Sequence, residues 1–333
     1  MPEPRFLVLR LGSLGDIVHT FPAVSGLRET FPNAETVWLT HPRWKLLVES
    51  STLASRVWTT DTRSFHSLCK TIDELRSARW DAAIDYQGLW KSAALPFFGG
   101  IKRRIGFSSE TIREFGVPLL YTDKVRSSAI HIADQNGELS LRAGARNSVA
   151  PFSLHVPHVD DWGIRDYLQK LGLDRYVVLS PGGGWRSKCW PPERFGQLSQ
   201  LIRHSLGLRC LVNYGPGEDD LALAVRECSG DADPLPYNGP LGPLMALLRN
   251  AACLVGGDTG PLHLAIALGV PAVALFGPTD PARNGPYRTD DIVLRAPNVV
   301  TTHTRSDQTH PSMLQIQVPE VFDAVRRRLG VAD

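Results

Sequence analysis

Three glycine-punctuated segments carry the residues that could do chemistry. The first reads Arg10-Leu-Gly12-Ser-Leu-Gly15-Asp16-Ile-Val-His19, where an apolar strand ends and a helix begins. Gly12 and Gly15 permit a tight turn with backbone close to a ligand. Asp16 falls at the helix start, where the dipole favours an anion, so an ordinary capping acid is one reading. The other is a carboxylate at the carboxyl edge of the first strand, serving as a general base. The glycines are spaced G-x-x-G and the third of the dinucleotide fingerprint is missing. No ribose-binding acid follows at the expected offset either, which disfavours a nicotinamide dehydrogenase.

The second segment is Ser180-Pro-Gly182-Gly183-Gly184-Trp185-Arg186-Ser187-Lys188. Its backbone N–H groups, with Arg186 and Lys188, suit a phosphate cradle, and the GKS/GKT ending of a P-loop is absent. The third is Gly256-Gly257-Asp258-Thr259-Gly260-Pro261-Leu-His263, ending an apolar strand and opening a helix. Amides of Thr259 and Gly260 there suit a pyrophosphate, and His263 lies one turn in. A lone histidine at such a place is by default a satisfied core residue. Glu218, after Tyr214-Gly-Pro-Gly217, stands where an acid could hold ribose hydroxyls, or simply start a helix.

The elements that must position these residues alternate along the chain. Strands are expected at Phe6–Arg10, Thr36–Leu39, Arg56–Thr59, Asp81–Tyr86 and Arg104–Phe107, then at Tyr176–Ser180, Arg209–Tyr214, Cys253–Val255 and Ala272–Phe276. Helical patterns separate them, which implies βαβ units and parallel sheets covered on both faces. The fold class is α/β, with two doubly wound Rossmann-like domains facing a cleft. The domains are expected over 1–155 and 156–318, joined through a Pro-containing linker near 145–159. A final helix over 319–333 is expected to pack back toward the first domain.

Composition agrees with an ordinary globular chain: 333 residues, 43% hydrophobic and 21% charged. The net charge of +2 comes without a long block of like charge, so a dedicated nucleic-acid binder is not indicated. Five scattered cysteines form no CxxC pair, which supports neither a zinc cage nor a redox motif and suits a reduced cytoplasm. No apolar run reaches the ~18 residues of a membrane span. Trp90, Lys91, Phe97, Phe98, Lys102, Arg103, Arg104 and Phe107 mix aromatic and basic groups as a peripheral surface anchor would.

The blocks GSLGDIVHTFPA, PGGGWRSKCWPPERF and GGDTGPLHLAIALGVPAVALFGPTDP resemble those of bacterial ADP-heptose:lipopolysaccharide heptosyltransferases. Asp85-Tyr-Gln87-Gly88-Leu-Trp90-Lys91 and Thr111-Ile-Arg113-Glu resemble the heptosyltransferase I branch. The resemblance implies a GT-B fold, an inverting reaction without metal or other cofactor, ADP-heptose as donor and Kdo-lipid A as acceptor. Transfer to an inner-core heptose, or of another nucleotide sugar, is the alternative. It makes Asp16 the base and assigns Lys188, Glu218, Asp258, Thr259, Gly260 and His263 to the donor. Gly15, Lys91 and Arg113 fall to the acceptor, at the cytoplasmic face of the inner membrane.

Overall fold

The computed structural model describes residues 3–112, 114–287, 289–302, 304 and 306–331. The chain divides into two compact units, 1–155 and 156–333. The first is built on β1 (Arg5–Leu9), β2 (Glu35–Thr40), β3 (Arg56–Thr59), β4 (Ala82–Asp85), β5 (Arg104–Phe107) and β6 (Asp123–Val125). These lie in the order β3-β2-β1-β4-β5-β6, every pair parallel. Phe6 to Leu9 are all buried, as expected for a central strand covered on both faces.

The second unit holds β7 (Tyr176–Ser180), β8 (Arg209–Asn213), β9 (Leu235–Tyr237), β10 (Cys253–Gly257), β11 (Ala272–Phe276) and β12 (Ile292–Arg295). Their order, β12-β11-β10-β7-β8-β9, repeats the winding of the first sheet, again all parallel. β3, β5, β7 and β11 coincide with the expected apolar runs. Each sheet has one point where winding reverses, between β1 and β4 and between β7 and β10. The carboxyl ends of strands flanking such a point are where open α/β sheets bind ligands.

The final helix, Val318–Arg328, buries Val318, Val321, Ala324 and Val325 in the core of the second unit, beside Phe195 and Ile202. Trp190 Nε1 donates to the Ile316 carbonyl at 3.0 Å, fixing the approach to this helix. Its apolar stripe, spaced three and four residues apart, closes the second core. All five cysteines are free; Cys210 and Cys253 are buried, and burial pushes the Cys253 thiol up to about 12.

Of the aromatic residues expected in a surface anchor, Trp90, Phe97 and Phe98 are exposed. Phe107 belongs to the buried interior. Arg103 pairs with Asp123, and Arg104 donates to the Leu120 carbonyl at 2.6 Å while lying over Phe97. Arg103 precedes β5 and Arg104 opens it, both following the end of helix Trp90–Phe98 opposite to Trp90 and Lys91. Beside Trp90 the structure places two exposed apolar side chains not foreseen, Phe115 and Leu119, and the Trp90 indole donates to the Phe115 carbonyl at 3.2 Å. Among the described residues no helix is long and apolar enough to cross a membrane.

Candidate active site

In the first unit, β1 hands the chain to the turn that carries Asp16. Helix Leu14–Val18 starts after Ser13, and Asp16 Oδ2 accepts from Ser13 N at 3.0 Å and from Ser13 Oγ at 2.9 Å. The acid therefore does cap its helix, as a third-position acid in a capping box does. Its other oxygen, Oδ1, lies 2.7 Å from Arg10 Nη2, and the side chain stays 45% exposed. Cap and reachable carboxylate coexist. Gly12 is needed for the turn's close approach to Trp44, because a Cβ there would stand 2.8 Å from the indole nitrogen. Gly15 is buried in the first helical turn and presents no side chain to a ligand.

The neighbouring loop after β4 is organised by Asp85, which the residue reading did not single out. Its Oδ1 accepts from Gln87 N at 2.9 Å and Gly88 N at 3.2 Å. Its Oδ2 accepts from Tyr121 OH at 2.7 Å and Ser92 Oγ at 2.9 Å. Burial pushes this carboxyl above its ordinary value, against the four hydrogen bonds that favour the anion. Gln87 Oε1 in turn accepts from Leu11 N at 2.6 Å, tying this loop to the one that bears Asp16. Lys91, exposed in the first turn of helix Trp90–Phe98, springs from the same loop. Arg113 lies outside the described residues.

In the second unit, the order β10-β7-β8 sets three strand ends side by side. Lys188, in a short turn at Arg186–Lys188 after β7, is buried. Its Nζ donates to the Asp258 carbonyl, lies 3.8 Å from Asp258 Oδ2 and stands 4.4 Å from the centre of the Trp185 ring. Asp258 Oδ1 meets His263 Nε2 at 3.1 Å. Burial alone would raise the Asp258 carboxyl, but the His263 hydrogen bond and the Lys188 charge outweigh it and hold the group at about 2. Asp258 is thus an anion at neutral pH. His263 is neither isolated nor aimed at solvent; it is the buried partner of Asp258.

Helix Gly260–Ala267 begins after Thr259, and its leading N–H groups have no intrahelical acceptors. Thr259 Oγ1 is buried there without a hydrogen-bond partner among the described residues. On the β8 side, Glu218 accepts from Gly215 N at 2.7 Å and from Gly183 N at 3.2 Å, so its carboxylate clamps both glycine loops. Residue 182 must be glycine for this clamp, since a Cβ would sit 2.3 Å from Glu218 Oε2. Arg186 instead pairs with Asp220 at 2.7 Å on the surface. The arrangement gathers one buried cation, a set of open N–H groups and two fixed carboxylates around adjoining strand ends. Such a set suits a diphosphate flanked by hydroxyl-bearing sugars.

The model for glycosyltransferase family 9 (heptosyltransferase) matches residues 68–313. The chain belongs to this family. The chain is 29% identical to lipopolysaccharide heptosyltransferase 1 of Escherichia coli K12 over 314 residues, 88% of this chain and 94% of that one. A family 9 glycosyltransferase from Veillonella parvula superposes with a TM-score of 0.85 at 21% identity, covering 100% of this chain and 99% of that one. An E. coli heptosyltransferase solved with ADP gives 0.78 at 24% identity, covering 97% and 99%. The fold is accordingly GT-B, and the chain is a glycosyltransferase.

Proposed function

We propose that this glycosyltransferase moves heptose from ADP-heptose to a Kdo residue of Kdo-lipid A, with inversion, in the synthesis of the lipopolysaccharide inner core. The observation that carries the reading is the near full-length similarity to lipopolysaccharide heptosyltransferase 1. The buried Lys188–Asp258–His263 cluster and the clamped Glu218 supply matching chemistry. The acceptor hydroxyl oxygen attacks the anomeric carbon, Asp16 takes the hydroxyl proton, and the bond from carbon to phosphate oxygen breaks. ADP leaves with its new charge met by Lys188 and by the amides of Thr259 and Gly260. Glu218 holds the ribose hydroxyls, while Asp258, kept ionised and oriented by His263, receives heptose hydroxyls. Gly15, Lys91 and Arg113 serve the acidic acceptor.

The donor half is tested by thermal shift with ADP, UDP, CMP and NAD. Selective stabilisation by ADP is the expected result; stabilisation by NAD or by UDP in its place would overturn the donor.

With Lys188 and a helix N-terminus facing the leaving group, turnover is expected to survive excess EDTA. Among the described residues no three His, Cys, Asp or Glu side chains gather to hold a metal. Loss of turnover in EDTA with recovery on adding magnesium or manganese would contradict this.

We further propose reversible contact with the cytoplasmic face of an anionic membrane through the end of the first unit that bears Trp90, Lys91, Phe115 and Leu119. Phe115 is fully exposed, Leu119 is 77% exposed, and Lys91, next to Trp90 in the chain, is exposed too. Apolar side chains with an adjacent Lys match an interfacial anchor, and each basic residue near the surface contributes about 1 kcal/mol, weakened by salt. Cosedimentation with phosphatidylglycerol vesicles is expected at low salt and reduced in Phe115→Ser/Leu119→Ser. Equal sedimentation of parent and double variant would remove this surface from the account.

A further inference from the structure

Arg10 is a buried cation at the junction of the two loops that build the acceptor side, and none of the roles assigned above uses it. It is 6% exposed, directly after β1. Its Nη1 donates to the Tyr86 carbonyl, in the loop after β4. Its Nη2 lies 2.7 Å from Asp16 Oδ1, and its own carbonyl accepts from Trp38 Nε1 at 3.3 Å. The guanidinium is therefore held at Nη1 by one neutral carbonyl and presents Nη2 to the Asp16 carboxylate, while Trp38 anchors the Arg10 backbone. An ordinary surface ion pair must freeze two long side chains, which cancels most of its gain. Here one partner is already frozen by burial.

We infer that Arg10 is a positioning residue that acts through Asp16, an inference that rests on Asp16 being the base proposed above. Oδ2 of Asp16 is held by Ser13 N and Oγ, and Oδ1 by Arg10, so the carboxylate plane is fixed at both oxygens. The side chain is 45% exposed, so an acceptor hydroxyl can bring its proton to the fixed carboxylate. Positioning matters here because a misplacement of about 1 Å can cost about 10²-fold in rate. Through the Tyr86 carbonyl, Arg10 also ties Asp16 to the loop from which Lys91 springs.

The test is a double-mutant cycle of Arg10→Gln and Asp16→Asn, assayed with ADP-heptose and Kdo-lipid A, with Arg10→Lys as the conservative variant. Arg10→Gln is expected to lower kcat by at least about tenfold, with the KM for ADP-heptose within twofold of parent. Arg10→Lys keeps the charge and is expected to recover most of that loss. In the Asp16→Asn background the Arg10→Gln change is expected to cost nothing further, the signature of a residue acting through its partner. A full Arg10→Gln loss that persists in that background, or a folded Arg10→Gln enzyme within twofold of parent, overturns the inference. Asp16→Asn with parent turnover would sink the base assignment itself, a separate outcome. The same four proteins give an unfolding cycle that needs no acceptor. There the pair is expected to couple by at least about threefold in the unfolding equilibrium constant, and additive stabilities reject it. If Arg10→Gln fails to fold, both cycles run with Arg10→Lys, whose smaller loss must likewise vanish with Asn at position 16.

Discussion

Asp16→Asn is expected to lower turnover by at least about 10²-fold while leaving ADP-heptose affinity and thermal stability near those of the parent. A sugar hydroxyl is a poor nucleophile until its proton begins to leave, and a fixed carboxylate can accept that proton in the transition state. General-base assistance is worth about 10²–10⁴-fold, or roughly 3–5 kcal/mol at about 1.36 kcal/mol per decade. Asparagine keeps the shape and an acceptor oxygen for Ser13, so the capping contact survives the change. The ion pair with the buried Arg10 is lost, so a modest stability cost, about threefold or somewhat more in the unfolding equilibrium constant, is expected beside the much larger kinetic one. Steady-state kinetics beside isothermal titration with ADP separate the two effects. An Asp16→Asn enzyme turning over within a few-fold of parent would reduce Asp16 to a cap.

Lys188→Ala is expected to act on the other quantity, the binding of the donor. The ammonium is buried between Trp185 and Asp258, so a phosphate reaching it does so with little competing water. A charge-assisted hydrogen bond of this kind contributes about 1.5–3 kcal/mol, or roughly 10- to 100-fold in ADP affinity. Removing the cation also leaves Asp258 with one partner fewer, so the variant is expected to melt below the parent even without ligand. Titration calorimetry with ADP reads affinity apart from that shift. ADP bound as tightly by Lys188→Ala as by the parent would exclude Lys188 from the donor site.

Much of the fold was legible because buried parallel strands announce themselves as unbroken apolar runs, as at Phe6–Leu9, Val177–Leu179 and Ala272–Phe276. β6, β9 and β12 were not, for a related reason. They are edge strands of three or four residues with partly exposed faces, and β9 contains Pro236, so no periodicity marks them. The last helix was readable as a helix, but which sheet takes its Val318-Val321-Val325 stripe depends on the path of the preceding segment, which Trp190 and Arg194 fix from far along the chain.

The candidate site divides in the same way. Asp16, Asp258 and Glu218 stand at strand ends with glycine beside them, and that local signal suffices to single them out. The Asp258–His263 pair has i, i+5 spacing across a strand-to-helix turn, and only the folded turn brings the carboxylate and the imidazole together. Arg186 and Lys188 look equivalent in the chain, yet the turn at Arg186–Lys188 buries one and sends the other to Asp220. Asp85 and Arg10 act through Tyr121 and the Tyr86 carbonyl, contacts of long sequence separation that no window of residues contains.

The most direct measurement is mass spectrometry of Kdo-lipid A after incubation with ADP-heptose and the parent enzyme. The account predicts a product heavier by one heptosyl residue, formed with release of ADP and at least about 10²-fold more slowly with Asp16→Asn. An acceptor left unmodified by the parent enzyme, while a heptose-bearing inner core gains a heptose under the same conditions, would contradict it.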